Sequence, residues 1–235
     1  MSTKPIDSAV STQLNPFGPQ WPQAKQTGET ASIGQQVQAA LFGRTKPPVL
    51  DPALFPGLAY ALKKLFALKK KLATMAGDEE NDYQIVLADG TIGMIDAEGV
   101  IYIGAGFLAA YGDNDAVLAG VLAHEIGHRP KRWHEYQERR ELTKRDLEEL
   151  CRYEETRADI FSGKALAELQ LSSEPLVEFL QKVADKPHPD YFPADVRAEV
   201  IRDAHAGREY RVKSRKKLFS EFDRMTSPKG HLGDY

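Results

Sequence analysis

The pentapeptide His124-Glu125-Ile126-Gly127-His128 constrains this chain more than any other feature. It closes an apolar run, Ala116-Val117-Leu118-Ala119-Gly120-Val121-Leu122-Ala123, which predicts a buried helix capped near Asp113 or Asn114. Residues four apart on a helix share a face, so His124 and His128 can offer two imidazole nitrogens to one ion. Zinc takes such nitrogens at roughly 2 Å in tetrahedral geometry. Glu125 lies beside that face, where a carboxylate can take a proton from water on the metal. With only six histidines in the chain, a chance match in this helical setting is improbable.

A catalytic zinc takes a third protein ligand and keeps one position for water. Two residues compete for that place. His134 follows His124 by the interval of the longer H-E-x-x-H-x-x-G-x-x-H pattern. Lys131 stands where that pattern needs a glycine to turn the chain, and no Met-turn follows. Glu155 opens the sequence Glu155-Thr156-Arg157-Ala158-Asp159, inside a stretch expected to be a long helix. There Glu155 and Asp159 share a face, so one can ligate while the other accepts the second N–H of a ligand histidine. Glu155 is the better match, and His134 otherwise reads as an exposed residue at a helix end. Cys151, one turn before Glu155, reads as a packed cysteine rather than a thiolate on zinc.

Three pieces together resemble the M48 peptidases, the group of the CAAX-prenyl and HtpX-type zinc proteases within the gluzincins. They are the apolar run into H-E-I-G-H, the E-x-x-A-D at 155–159, and His188-Pro189 followed by Arg197. The likeness spans about residues 91–202. It implies an α+β zincin fold, gluzincin-like, with a short antiparallel sheet, an active-site helix and a helical C-terminal half. It also implies zinc endopeptidase activity with one Zn2+ per chain. By that resemblance His124, His128 and Glu155 are the zinc ligands, Glu125 is the general base, and Asp159 is the carboxylate behind a ligand histidine. His188 and Arg197 would stabilise the transition state. Taken alone, His188 is a loop residue between prolines and Arg197 a helix-surface ion-pair partner. An extended peptide would add as a strand beside Val100, Ile101, Tyr102 and Ile103, placed as gluzincin edge strands are. The membrane helices common in the family have no counterpart, so a membrane-embedded role is not implied.

The chain around this centre divides into three. Residues 1–56, rich in Ser, Thr, Gln, Pro and Gly, read as a mobile leader and candidate pro-segment. Within it, Ile33, Val37, Ala40 and Leu41 make one helical stripe over 30–42, with Gly43 as a stop; a helix that short needs a surface to dock on. Residues 57–207 are the segment that the resemblance implies to be the metallopeptidase domain. Its first helix, 58–75, carries an apolar stripe of Leu58, Leu62, Leu65, Phe66, Leu72 and Met75 opposite Lys63, Lys64, Lys69, Lys70 and Lys71. Such a helix is able to lie on an anionic membrane surface, although a solvated lysine face is the plainer reading. Strands are expected over 83–87, 91–95 and 100–103 in antiparallel order, with Asp89-Gly90 as a hairpin turn. Helices are expected over 135–152 continuing into 154–171, from Ser173-Pro175 onward, and over 193–205. Pro130 should end or kink the active-site helix. Residues 208–235 read as a basic tail.

Composition removes other classes. Over 235 residues, 42% are apolar and the formal charge is −3, enough to bury one core and no basis for binding nucleic acid. No apolar stretch reaches a membrane span and no apolar signal segment follows the N-terminus, so the expectation is a soluble protein, cytoplasmic as synthesised, with export by an uncleaved route left open. The partner expected is a protein or peptide substrate. The rival readings are a non-catalytic zinc-containing interaction module and a metzincin-type protease using His134. A module of that kind has no need of Glu125.

Overall fold

The computed structural model describes residues 31–184 and 191–208. Trp21, His188 and the tail after Arg208 lie outside the described residues. The architecture is α+β, mostly helical, with one small three-stranded sheet.

Helix α1 (Ile33–Phe42) forms where the apolar stripe predicts it. Ser32 caps it through the Gln35 backbone N–H, and the Gln35 side chain returns a hydrogen bond, a complete capping box. Its docking surface is the segment after the helix that carries the pentapeptide: Ile33 donates to the Glu138 carbonyl and Gly34 to that of Tyr136. Ile33, Val37, Leu41 and Phe42 are buried in the common core. The stretch 31–56, grouped with the leader by composition, therefore packs into the body of the protein.

Helix α2 (Ala59–Ala76) buries Ala61, Leu62, Leu65, Leu72, Ala73 and Ala76, and Gly77 ends it in the left-handed conformation. Two of its lysines are engaged, Lys64 with Asp115 and Lys69 with the Tyr83 carbonyl, whereas Lys63, Lys70 and Lys71 are exposed. Among the described residues no helix is long and apolar enough to cross a membrane.

The sheet corrects the expected topology. β1 (Gln84–Ala88), β2 (Gly93–Ile95) and β3 (Val100–Gly104) are ordered β1-β3-β2, with β1 parallel and β2 antiparallel to β3. The sheet is mixed, and Asp89-Gly90 does not close a hairpin. Instead the chain leaves β1, passes over the end of β3 and enters β2 on its far side. Gly104 makes that crossing physically allowed: a Cβ there would lie 1.7 Å from the Thr91 carbonyl oxygen. Val100, Ile101, Tyr102 and Ile103 thus lie on the central strand, hydrogen-bonded on both sides, and cannot be the substrate edge. The outer edges belong to β1, which Val49 joins through a bridge to Ala88, and to β2.

After α3 (Ala105–Tyr111), α4 (Asp115–Gly127) carries the pentapeptide. Asn114 caps it by accepting from the Val117 N–H. Every residue from Ala116 to Ala123 is buried, because α2, α5, α6 and β2 surround the helix. The helix ends as Pro130 requires: Arg129 adopts a left-handed backbone with φ 43°, and a 3-10 turn runs over Pro130–Glu135.

Helix α5 (Lys144–Glu168) starts nine residues later than the charged pattern from Glu135 suggests. The intervening chain is held against α1, where Gln36 donates to the Arg140 carbonyl and accepts from the Leu142 N–H. Thr143 and Asp146 then form the capping box that nucleates α5. Helices α6 (Glu174–Val183) and α7 (Ala194–His205) complete the body.

Candidate metal centre

Two helices build the centre. α4 approaches α5 closely because Gly127 has no side chain; a Cβ on it would sit 3.1 Å from the Ala158 Cα. The buried Ser162 hydroxyl fixes the pair by donating to the Gly120 carbonyl at 2.9 Å. This brings the face of His124 and His128 against the face of Glu155 and Asp159.

His124 Nε2 lies 3.1 Å from Glu155 Oε2 and His128 Nε2 lies 3.6 Å from the same oxygen. Ligand atoms about 2.0 Å from a tetrahedral zinc are about 3.3 Å apart, and the two distances to Glu155 Oε2 fall close to that value, so these three residues could hold such an ion. The ligand atoms of these three residues all fall within 4.8 Å of one another. His134 is not among them. It sits on the 3-10 turn, exposed, beside the Gln38 side chain of α1 at 3.3 Å. Cys151 is buried and also outside the cluster.

Behind His124, its Nδ1 stands 3.0 Å from Asp159 Oδ1. Arg197, on α7, donates to both oxygens of Asp159 at 2.8 Å. The side chain of Arg197 is only 12% exposed, so it is a buried partner of Asp159 rather than a surface ion pair. Its other face lies 4.8 Å from the Tyr191 ring.

Behind His128 stands a residue that the motif reading missed. Glu154 is fully buried, with Oε1 4.0 Å from His128 Nδ1 and hydrogen-bonded to Arg132. The adjacent pair Glu154-Glu155 in the sequence is the only hint of it, because Arg132 comes from the 3-10 turn after α4.

Electrostatics follow from burial. It disfavours a charged His124, but Asp159 and Glu155 hold its pKa up to about 10. Burial likewise pushes His128 down, to about 3. It would raise Glu155, yet His128, His124 and Arg197 outweigh it and keep this carboxyl well below the usual range. Asp159 is depressed in the same manner, with Arg197 outweighing burial. Glu154 is raised by burial against the pull of Arg132 and Arg157.

Glu125, one residue after His124 and so about 100° round α4 from it, is 8% exposed and lies against Gly93 of β2. Burial pushes its carboxyl up to about 7, partly countered by His124, Arg44 and a backbone hydrogen bond from Ile95. A carboxyl tuned to that value can both accept and return a proton near neutrality.

No family model matches the chain, and neither a curated protein nor a solved structure is similar to it.

Proposed function

We propose that the chain is a zinc-dependent endopeptidase related to the M48 peptidases, holding one zinc through His124, His128 and Glu155. The observation that carries the reading is the convergence of both Nε2 atoms on Glu155 Oε2, with a buried carboxyl of raised pKa one residue along the same helix. A metal-holding module would account for the three ligands but not for Glu125.

Zinc at this site supplies Lewis acidity to a water molecule and to a substrate carbonyl. The chain supplies the rest. Glu125, next to His124 on α4, would take the proton of the attacking water and pass it to the leaving nitrogen. Asp159 fixes the His124 ring by accepting from Nδ1–H, which leaves Nε2 directed at Glu155. Arg197 holds Asp159 charged and oriented. β2 is the sheet edge beside Glu125, so a substrate strand would add there.

Glu125→Gln is the test. The zinc-loaded variant should bind metal as the unmodified protein does and lose about 10²-fold or more of its turnover on an unfolded protein such as casein. Full turnover in that variant would remove Glu125 from the mechanism.

A further inference from the structure

The two ligand histidines sit in matching surroundings, and only one half of that match follows from the motifs. Behind His124 is a carboxylate, Asp159, held by an arginine, Arg197. Behind His128 is a carboxylate, Glu154, held by an arginine, Arg132. Both carboxylates come from α5, and both arginines come from elements that follow the corresponding helix in space: α7 for one, the 3-10 turn for the other.

The halves differ in how far they have closed. Asp159 is already at hydrogen-bond distance from its histidine, whereas Glu154 Oε1 is 4.0 Å from His128 Nδ1. Three buried atoms on this second side, His128 Nδ1, Glu154 Oε2 and Arg132 Nε, have no hydrogen-bond partner among the described residues. Buried polar atoms left unpaired are costly, and the Glu154 oxygen placed nearest Nδ1 is Oε1, which also accepts from Arg132 and at 4.0 Å lies about 1 Å beyond a hydrogen bond. Ligation through Nε2 fixes the His128 tautomer with its hydrogen on Nδ1, and that hydrogen then needs an acceptor.

We infer that Glu154, held by Arg132, is the positioning residue for His128: it accepts the Nδ1–H of that histidine when Nε2 ligates a metal ion. The inference rests on the metal-centre reading above. Glu154 fixes the tautomer and ring angle of the second ligand as Asp159 does for the first. Arg132, itself buried to 8% side-chain exposure, holds the carboxyl group in place. No other carboxylate among the described residues is placed within 4.0 Å of that nitrogen.

The experiment uses Co(II) as the probe in the full chain, with Glu154→Gln and Glu154→Met beside the unmodified protein. Glutamine keeps an oxygen for Nδ1–H and methionine does not, while both abolish the charge pair with Arg132. Co(II) affinity should fall by 10- to 100-fold in E154M and by less in E154Q, in line with losses at other residues that orient metal ligands. The visible d–d bands should shift in E154M alone. In the zinc-loaded protein, the ¹⁵N-coupled Nδ1–H signal of His128 should be slow to exchange in the unmodified chain and in E154Q, and absent in E154M. Equal affinity and an unchanged signal in E154M would overturn the assignment, as would equal losses in both variants, which would mark a charge pair that serves the fold alone. If E154M does not fold, E154Q decides: an Nδ1–H signal at its original position overturns the assignment and a shifted one supports it. Failure of the unmodified protein to take up Co(II) or zinc is a separate outcome, which removes the metal centre itself and this role with it.

Discussion

Asp159 receives the Nδ1–H of His124 on one side and both hydrogen bonds of Arg197 on the other, at 3.0 and 2.8 Å. The contact ties α7 to the His124–His128 face of α4 through a single carboxylate on α5. Removing either partner therefore has a different consequence. Arg197→Met leaves a buried charge unpaired and should cost about 3–5 kcal/mol in urea unfolding. Asp159→Asn keeps an oxygen for His124 but leaves the Arg197 guanidinium without its carboxylate, so it should lose stability too and, in addition, weaken zinc binding by about 10- to 100-fold. Chelator competition on both variants separates the two effects.

Zinc uptake should release a proton. The His124 pKa of about 10 means that at pH 8 its Nε2 carries a hydrogen donated to Glu155, and ligation displaces it. Titration in a weak buffer with a pH indicator should show close to one proton released per zinc at pH 8. His124→Gln should show neither the release nor tight binding.

Acid stability has a source at the end of β2, away from the metal-site cluster. Burial raises the carboxyl of Asp96, but Lys46, the Val100 N–H and Tyr102 outweigh that and depress it below its ordinary value. A depressed carboxyl adds stability that is present above its unfolded pKa, about 3.9, and lost as pH falls through the folded value. Urea midpoints measured downward from pH 6 should fall below about pH 4, and Asp96→Asn should be less stable at pH 6 with a flatter acid limb.

The chain crossing above β3 depends on one missing side chain. Gly104→Ala would place a methyl group 1.7 Å from the Thr91 oxygen, while Gly106 has open space where its Cβ would be. Gly104→Ala should destabilise by about 1–3 kcal/mol or more, and Gly106→Ala by little. Paired thermal melts test it.

What could be read ahead of the structure was what lies within one helix. His124 with His128 and Glu155 with Asp159 are each four apart, so their common faces follow from helical geometry alone. The stripe of α1 and the stop at Pro130 are local in the same sense. The sheet was not local: Asp89-Gly90 carries a hairpin signal, yet pairing of β1 with β3 is decided by which strands meet in the core. Glu154 escaped for the same reason, as did the pairing of Arg197 with Asp159, since these partners meet through tertiary packing of α4, α5, α7 and the 3-10 turn; Arg197 itself was named in advance only through the family resemblance, in another role. The edge-strand assignment of Val100, Ile101, Tyr102 and Ile103 failed with the topology on which it depended.

The most direct test of the central claim is zinc per chain in the purified protein beside Glu155→Ala. The account predicts close to one zinc in the unmodified chain and close to none in the variant, with α-helical content retained in both. Zinc held undiminished by Glu155→Ala would make His134 or another group the third ligand, and an unmodified protein that takes up no zinc would contradict the account altogether.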